Sequence, residues 1–419
     1  MDSLKIKGRS PLTGDVEISG AKNAALPVMA ATLLSSGTHT LKRIPNLRDI
    51  ATMGKLLSHM GAEYRYDKGA ATLDTSRIKK CEAPYDLVKT MRASVLVLGP
   101  LVARFGNASV SLPGGCAIGA RPINLHLMGL EKMGAKITLE SGYVHAKASR
   151  LKGATIYFDM PSVTGTENLM MAACLAKGTT VLENAAREPE ITDLAEYLVG
   201  MGAKIHGAGE SVIKIQGVDE LRPIAEYSVI PDRIETGTFM AIAAACGGDL
   251  MLKGARPGHL DAVILKLKDA GVEFHETRKG LRVVGPRRLT ARDIKTTPYP
   301  GFPTDMQAQF MAMMTVARGT SVIKETIFEN RYMHVAELKR MGADIRIEGG
   351  IATVRGIDKL KGAQIMATDL RASASLVVAA LCAKGESIIH RIYHLDRGYD
   401  HMDEKLRRIG AQVERVSSS

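Results

Sequence analysis

A repeat restricts how this chain can fold more than any other feature. An amphipathic helix running out into a hydrophobic residue, then Gly, then usually Ala, occurs six times: "LLSHMGAEY", "LEKMGAKI", "LVGMGAKI", "LKDAGVEF", "LKRMGADI" and "LRRIGAQV". Its glycines are Gly61, Gly134, Gly202, Gly271, Gly342 and Gly410, at intervals of 73, 68, 69, 71 and 68 residues. A near-constant interval of this kind marks one supersecondary unit used again and again. Each copy opens with an Ala/Met/Leu-rich helix that is expected to end at an earlier glycine: Gly37, Gly106, Gly178, Gly247, Gly319 or Gly385. Glycine accepts the left-handed conformation that stops a helix. A β-branched strand follows, as in "TTVLENA" and "TSVIKETI", and then the second helix. In the third copy Ile191, Leu194, Leu198 and Met201 line one face of that helix. Two short strands close the unit. The pattern predicts an α/β protein of six βαβαββ-type units.

The sixth copy stops at "AQVERVSSS", one strand short, while "LKIKG" (4–8) reads like the "IKIQG" that ends the third. The N-terminal strand is therefore expected to complete the last unit. Six units then fall into two groups of three, with residues 22–229 forming one domain and residues 1–21 plus 230–419 the other. No Pro/Ser-rich linker separates the copies, which argues against small modules on a string. A length of 419 residues agrees with two or three domains.

Charge narrows the function classes. The formal net charge is +12, but basic residues are scattered, never more than two in a row. With no Trp and 4% aromatics there is no stacking platform for a polynucleotide, so no nucleic-acid partner is expected. A small anionic substrate remains. There is no apolar run of membrane-spanning length, no secretory h-region and no C-x-x-C pair among the five cysteines. The expectation is a cytoplasmic protein with no membrane insertion, no metal and no disulfide framework.

One copy departs from the others. The interval between its two glycines is 28 residues in the second unit and 23 to 25 elsewhere, and the surplus falls at "LPGGCAIGARP" (112–122). Long Gly-rich connections on a rigid scaffold are where function concentrates. Cys174, Cys246 and Cys382 lie in Ala-rich helices and read as inert packing. Cys116 instead stands among Gly114, Gly115 and Gly119 with Arg121 nearby, and reads as a displayed thiol able to act as nucleophile or proton donor. Lys22 and Asn23 open an Ala-rich helix, where backbone N–H groups attract anions. Asp305, in "PTDMQ", reads locally as a helix N-cap. Arg371 and Arg397 sit in an apolar context and beside glycine, unlike solvated surface arginines. His126 reads as a helix-face residue, and Glu188 and Asp369 as supporting charges.

In order along the chain, "SGAKNAALP" (19–27), "KTMRAS" (89–94), "LPGGCAIGARP" (112–122), "MPSVTGTEN" (160–168), "PDRIETGTF" (231–239), "FPTDMQAQF" (302–310), "ENRYMH" (329–334), "TDLRASASL" (368–376) and "HLDRGYD" (394–400) resemble the motifs of the bacterial UDP-N-acetylglucosamine 1-carboxyvinyltransferases. These are enolpyruvyl transferases, a sister family to the shikimate-3-phosphate enzymes. The resemblance covers essentially the whole chain. It implies a two-domain inside-out α/β barrel, three units per domain, and no cofactor. It also implies a reaction: the enolpyruvyl group of phosphoenolpyruvate moves to the 3′-hydroxyl of UDP-N-acetylglucosamine, with release of phosphate, as the first committed step of peptidoglycan synthesis. By motif position Cys116 matches the family's acid, which can form an adduct with phosphoenolpyruvate and is the thiol alkylated by fosfomycin. Asp305 matches the residue that takes the sugar hydroxyl proton. Lys22, Asn23, Arg121 and Arg397 match the phosphoenolpyruvate site, with Arg371 near the carboxylate. Arg92, the run Arg121, Pro122, Ile123, Asn124 and Leu125, and Ser162, Val163 and Ile327 match the nucleotide-sugar site. Asn124 stands where many members have Asp, and Met160 where some have Lys. Two rival readings are a shikimate-3-phosphate enolpyruvyl transferase, against which the cysteine-bearing loop argues, and a non-catalytic basic repeat protein that binds polyanions.

Overall fold

A computed structural model describes residues 2–8, 12–112 and 123–417. Cys116, Arg121 and Pro122 lie outside the described residues.

The third copy shows the unit in full. Strand Thr155–Tyr157 leads to helix Val163–Ala173, strand Thr179–Glu183, helix Pro189–Gly200 and the strands Lys204–His206 and Val212–Gln216. The first two strands pair in parallel across the helix, and the last two add antiparallel, giving the spatial order first, second, fourth, third. All six sheets have four strands in this order. Among the described residues they are separate, and none closes on itself.

Six inner helices carry the core. They are α1 (Lys22–Ala31), α2 (Leu98–Phe105), α3 (Val163–Ala173), α4 (Arg233–Cys246), α5 (Gln307–Met314) and α6 (Leu370–Cys382). Helices that are buried all round need small or apolar residues on every face. In α6 every residue from Arg371 to Leu381 is buried, and in α4 every residue from Arg233 to Ala244. Helices α4, α5 and α6 pack on one another, as α2 does on α3. Strands show the opposite pattern, as in Val212–Gln216, where buried and exposed residues alternate. Sheets thus form the wet layer and helices the dry one.

The N-terminal strand completes the last unit, as the incomplete sixth copy requires. Strand Ser3–Lys7 lies between Glu386–His390 and Gln412–Val416, with Leu4 opposite Ile389 and Arg415. Two further strands also come from outside their own copy. Thr13–Glu17 pairs in parallel with Asp249–Lys253, and Tyr227–Ser228 with Thr38–Lys42. The described residues gather into two compact units. One comprises 2–8, 12–19 and 231–417, and the other 20–112 and 123–230.

Two sequence expectations need correction. Gly106 and Gly247 do cap helices in the left-handed conformation. Gly37, Gly178, Gly319 and Gly385 do not, because α1, α3, α5 and α6 stop several residues earlier. Those glycines keep positive φ but make the turn into the strand. In three of the four, the residue before the glycine bridges to the connection ahead of the helix: Lys177 to Lys152, Arg318 to Thr290 and Lys384 to Lys361. Cys174 is fully buried and donates to the Met170 carbonyl, but Cys246 and Cys382 are only half-buried, at the ends of α4 and α6, with their sulfurs 3.5 Å apart. No helix among the described residues is long and apolar enough to cross a membrane.

Candidate active site

In the unit of residues 20–230, Lys22 and Asn23 are the first two residues of α1, whose N-cap Ala21 has no side chain to satisfy the terminal N–H groups. The Lys22 ammonium lies 3.3 Å from the Asp49 carboxylate, and both side chains are nearly buried, at 12% and 8% exposure. Asp49 thus holds the ammonium at the amide-rich end of a helix, an arrangement that suits an anion. Helix α1 packs against the short turn Arg92–Val97, whose first residue is the predicted Arg92.

The nucleotide-side candidates cluster around α3. Ser162 caps it, accepting from the Gly165 N–H at 3.2 Å, and Val163 is its first residue. Ile123 precedes the helix Asn124–Lys132, on which Asn124 is exposed and Leu125 half-buried. His126 ties that helix to α3, meeting Thr164 at 3.3 Å and Asn168 at 2.8 Å. Burial, and then the nearby Arg92 charge, push its pKa down to about 4, so a neutral ring makes these bonds near pH 7. Asn168 reaches further, accepting from Gly99 N–H and donating to the Val95 carbonyl. His126 is therefore a buried connector rather than a residue on an open helix face. Glu188 accepts from its neighbour's N–H and, with Glu190, faces the fully buried Glu167. Burial first, and these two carboxylates second, raise the Glu167 pKa well above the usual range.

In the other unit, Asp305 lies in the turn Thr304–Met306, not at its cap, which is Pro303. The N-cap reading is therefore not realised. Both carboxylate oxygens accept from arginines instead. Arg331 donates to one at 2.7 Å, and Arg371 donates Nε and Nη2 to the other at 3.1 and 2.9 Å. Both arginines are almost fully buried, at 4% and 6% exposure, against 27% for Asp305. Burial alone would weaken the Arg371 charge, but Asp305 and then Tyr399 reverse this and hold its pKa above the ordinary value. Arg371 Nη1 donates to the Tyr399 hydroxyl, so three of its five N–H donors point into the protein. Asp369 caps α6 through the Arg371 and Ala372 N–H groups. Arg397 ends the turn Ile392–Arg397, and the next residue, Gly398, lies so close to the Leu370 side chain that a Cβ there would collide with it. Ile327 sits in the loop after strand Thr320–Lys324, its N–H held by Glu325.

The structure thus brings Asp305 and Arg371 into direct contact and packs the helix of Asn124 and Leu125 on α3, the helix that Ser162 caps. Sequence reasoning missed Asp49, Asn168, Glu325 and Arg331. Arg331 and Asn168 left a trace, inside the quoted "ENRYMH" and "MPSVTGTEN"; Asp49 looks like any acid in a helix first turn.

A family model described as EPSP synthase (3-phosphoshikimate 1-carboxyvinyltransferase) matches residues 6–406. The UDP-N-acetylglucosamine 1-carboxyvinyltransferase of Thermodesulfovibrio yellowstonii is 69% identical over 416 residues, covering 99% of this chain and 100% of its own. The protein of the same name from Geobacter metallireducens is 61% identical with the same coverage. Among solved structures, the enolpyruvyl transferase NikO from Streptomyces tendae superposes with a TM-score of 0.88 at 25% identity, covering 100% of this chain and 99% of that one. An EPSP synthase from Acinetobacter baumannii covers both chains fully with a TM-score of 0.77 at 21% identity, a likeness of fold.

Proposed function

Because the chain belongs to the EPSP synthase family, we propose that it transfers the enolpyruvyl group of phosphoenolpyruvate to the 3′-hydroxyl of UDP-N-acetylglucosamine, releasing phosphate, in the first committed step of peptidoglycan synthesis. The observation that carries the choice of acceptor is the full-length identity of 58–69% to four relatives whose names state this activity.

The reaction is an addition followed by an elimination. A proton goes to the vinyl CH2, and C2 takes on oxocarbenium character. The sugar oxygen bonds to C2 as its proton leaves. Loss of a proton from the new methyl group then re-forms the double bond as the C2–O bond to phosphate breaks. The steps need an acid, a base and fixed positive charge. In this reading Cys116 donates the first proton and Asp305 receives the hydroxyl proton. Lys22, Asn23, Arg121 and Arg397 bind phosphoenolpyruvate, while Arg92, Ile123, Asn124, Leu125, Ser162, Val163 and Ile327 hold the nucleotide sugar. The place of Lys22 at the N-terminus of α1 supports the anion role, with Asp49 orienting its ammonium while offsetting part of its charge. Arg371 is read, as expected, as a further cation near the substrate carboxylate. Its fork is also engaged with Asp305, so the same side chain orients the base.

The test is phosphate release from phosphoenolpyruvate with UDP-N-acetylglucosamine or shikimate 3-phosphate offered as acceptor. Release is expected with the nucleotide sugar alone. Release with shikimate 3-phosphate alone would move the chain to the sister activity, and none with either would favour a non-catalytic role.

A further inference from the structure

Glu325 follows strand Thr320–Lys324 and is 7% exposed. Its carboxylate collects four donors from three segments. Oε1 accepts from the Thr296 hydroxyl at 2.8 Å and from the Ile327 and Phe328 N–H groups at 2.8 and 3.2 Å. Oε2 accepts from the Thr304 hydroxyl at 2.9 Å. Committing that hydroxyl proton to Glu325 leaves the Thr304 oxygen to accept from Arg331 Nη1, which it does at 3.0 Å. The same guanidinium grips Asp305 and lies over the Phe328 ring, 5.3 Å from its centre. Two routes, one through Thr304 and one through Phe328, therefore run from one carboxylate to the arginine on Asp305.

We propose that Glu325 is a positioning residue that fixes with one carboxylate both the loop carrying Ile327 and the turn carrying Asp305, and so sets the sugar hydroxyl's base against the nucleotide-sugar contact. This rests on the reading above, in which those two segments serve the same substrate. The direction of the Thr304 proton is the decisive element. In Glu325→Gln the amide oxygen takes the place of Oε1, where three donors converge, and the NH2 group faces Thr304. Thr304 then has donors on two sides, the new amide and Arg331, and its own proton has lost its acceptor. Thr304→Val cuts only this branch and leaves the Ile327 loop attached.

The experiment compares Glu325→Gln, Thr304→Val and the double variant, after thermal melts show each folded. Hydrogen bonds to charged groups are worth enough for a loss of roughly tenfold in kcat in each single variant. The double variant should fall no further than the worse single, because both cut one chain of bonds. The KM for UDP-N-acetylglucosamine should rise several-fold in Glu325→Gln and in the double variant but not in Thr304→Val, with the KM for phosphoenolpyruvate within about twofold throughout. A second arm needs no substrate. Amide hydrogen exchange at Ile327 and Phe328 should quicken about fivefold or more in Glu325→Gln, where a neutral oxygen replaces a charged acceptor, and stay unchanged in Thr304→Val. Unchanged exchange in Glu325→Gln overturns the proposal, and so does a double variant whose loss is the product of the two singles. Wild-type protein inactive on phosphoenolpyruvate sinks the assigned reaction instead, and the exchange arm still judges whether Glu325 holds the loop.

Discussion

In the proposed reaction Arg371 serves catalysis by orienting another side chain. It donates Nε and Nη2 to one oxygen of Asp305 and Nη1 to the Tyr399 hydroxyl, and burial removes competing water. A lysine keeps the charge but not the planar fork. Arg371→Lys is expected to lower turnover by about ten- to a hundredfold, the loss of one or two charge-assisted bonds. Turnover within twofold of wild type in the phosphate-release assay would mean that the orientation of Asp305 does not matter. Cys116 poses a different question, answerable by chemistry alone. If its thiol is a proton donor, Cys116→Asp keeps a titratable group, with a reference pKa of about 3.9 against about 8.5 for a thiol. Cys116→Ser offers a hydroxyl too weakly acidic to donate near neutral pH. The Asp variant is expected to turn over with its optimum at lower pH, and the Ser variant to lose most activity. Both should resist fosfomycin, having lost the soft nucleophile. An active Ser variant beside a dead Asp variant would remove proton donation from the role of Cys116.

Between elements, the ties are polar and long-range. Asp193, on helix Pro189–Gly200, accepts from the Tyr227 hydroxyl at 2.9 Å and so fixes the short strand Tyr227–Ser228. Burial, and secondarily the neighbouring Glu196 and Glu190, push its carboxyl up to about 7. The unfolded value is about 3.9, so the folded state binds more protons between roughly pH 4 and pH 7. Stability contributed by this group therefore falls as pH rises through that window, by about 4 kcal/mol at most. Asp193→Asn should remove the slope. Urea unfolding of both proteins at about pH 4.5 and pH 7.5 checks this, and an equal difference between them at the two pH values would refute it. The same long-range character explains what could be read from sequence. The helix Pro189–Gly200 was legible because Ile191, Leu194 and Leu198 repeat at helical spacing and are all buried. The strand Thr13–Glu17 was not, since "TGDVE" offers one apolar residue and its partner lies beyond residue 248. At the site, Lys22 and Asp305 carried motif signals. Asp49 and Glu325 are ordinary polar residues locally, and only folding gives them partners 27 and 21 residues away.

At the scale of the whole molecule, the repeat is closed by exchange at the two points where the chain passes between its compact units. The segment before residue 20 supplies Ser3–Lys7 to the middle of one sheet and Thr13–Glu17 to the edge of another, both completed by residues after 230. The Ser19 carbonyl accepts from Asp232 N–H at 2.9 Å, while Ala21 N–H donates to the Ile230 carbonyl at 2.8 Å. Ends that lie this close can be rejoined. Excising residues 20–230 and linking Ser19 to Pro231 through a Gly-Ser pair should leave a chain that unfolds cooperatively. The fragment 231–419 by itself should not. It lacks Leu4, Ile6, Leu12, Val16 and Ile18, all at most 2% exposed. Burying five such side chains is worth on the order of 7–15 kcal/mol, as much as the whole stability of a typical domain. Strand Gln412–Val416 would also lose the partner that joins it to its sheet. Residues 20–230 already contain all twelve strands of their three sheets, Tyr227–Ser228 included, and should fold as one continuous fragment. Thermal melts followed by circular dichroism on the three chains decide the matter. A fragment 231–419 that melts as sharply, and as high, as the rejoined chain would show that the N-terminal strands are accessories rather than parts of the repeat.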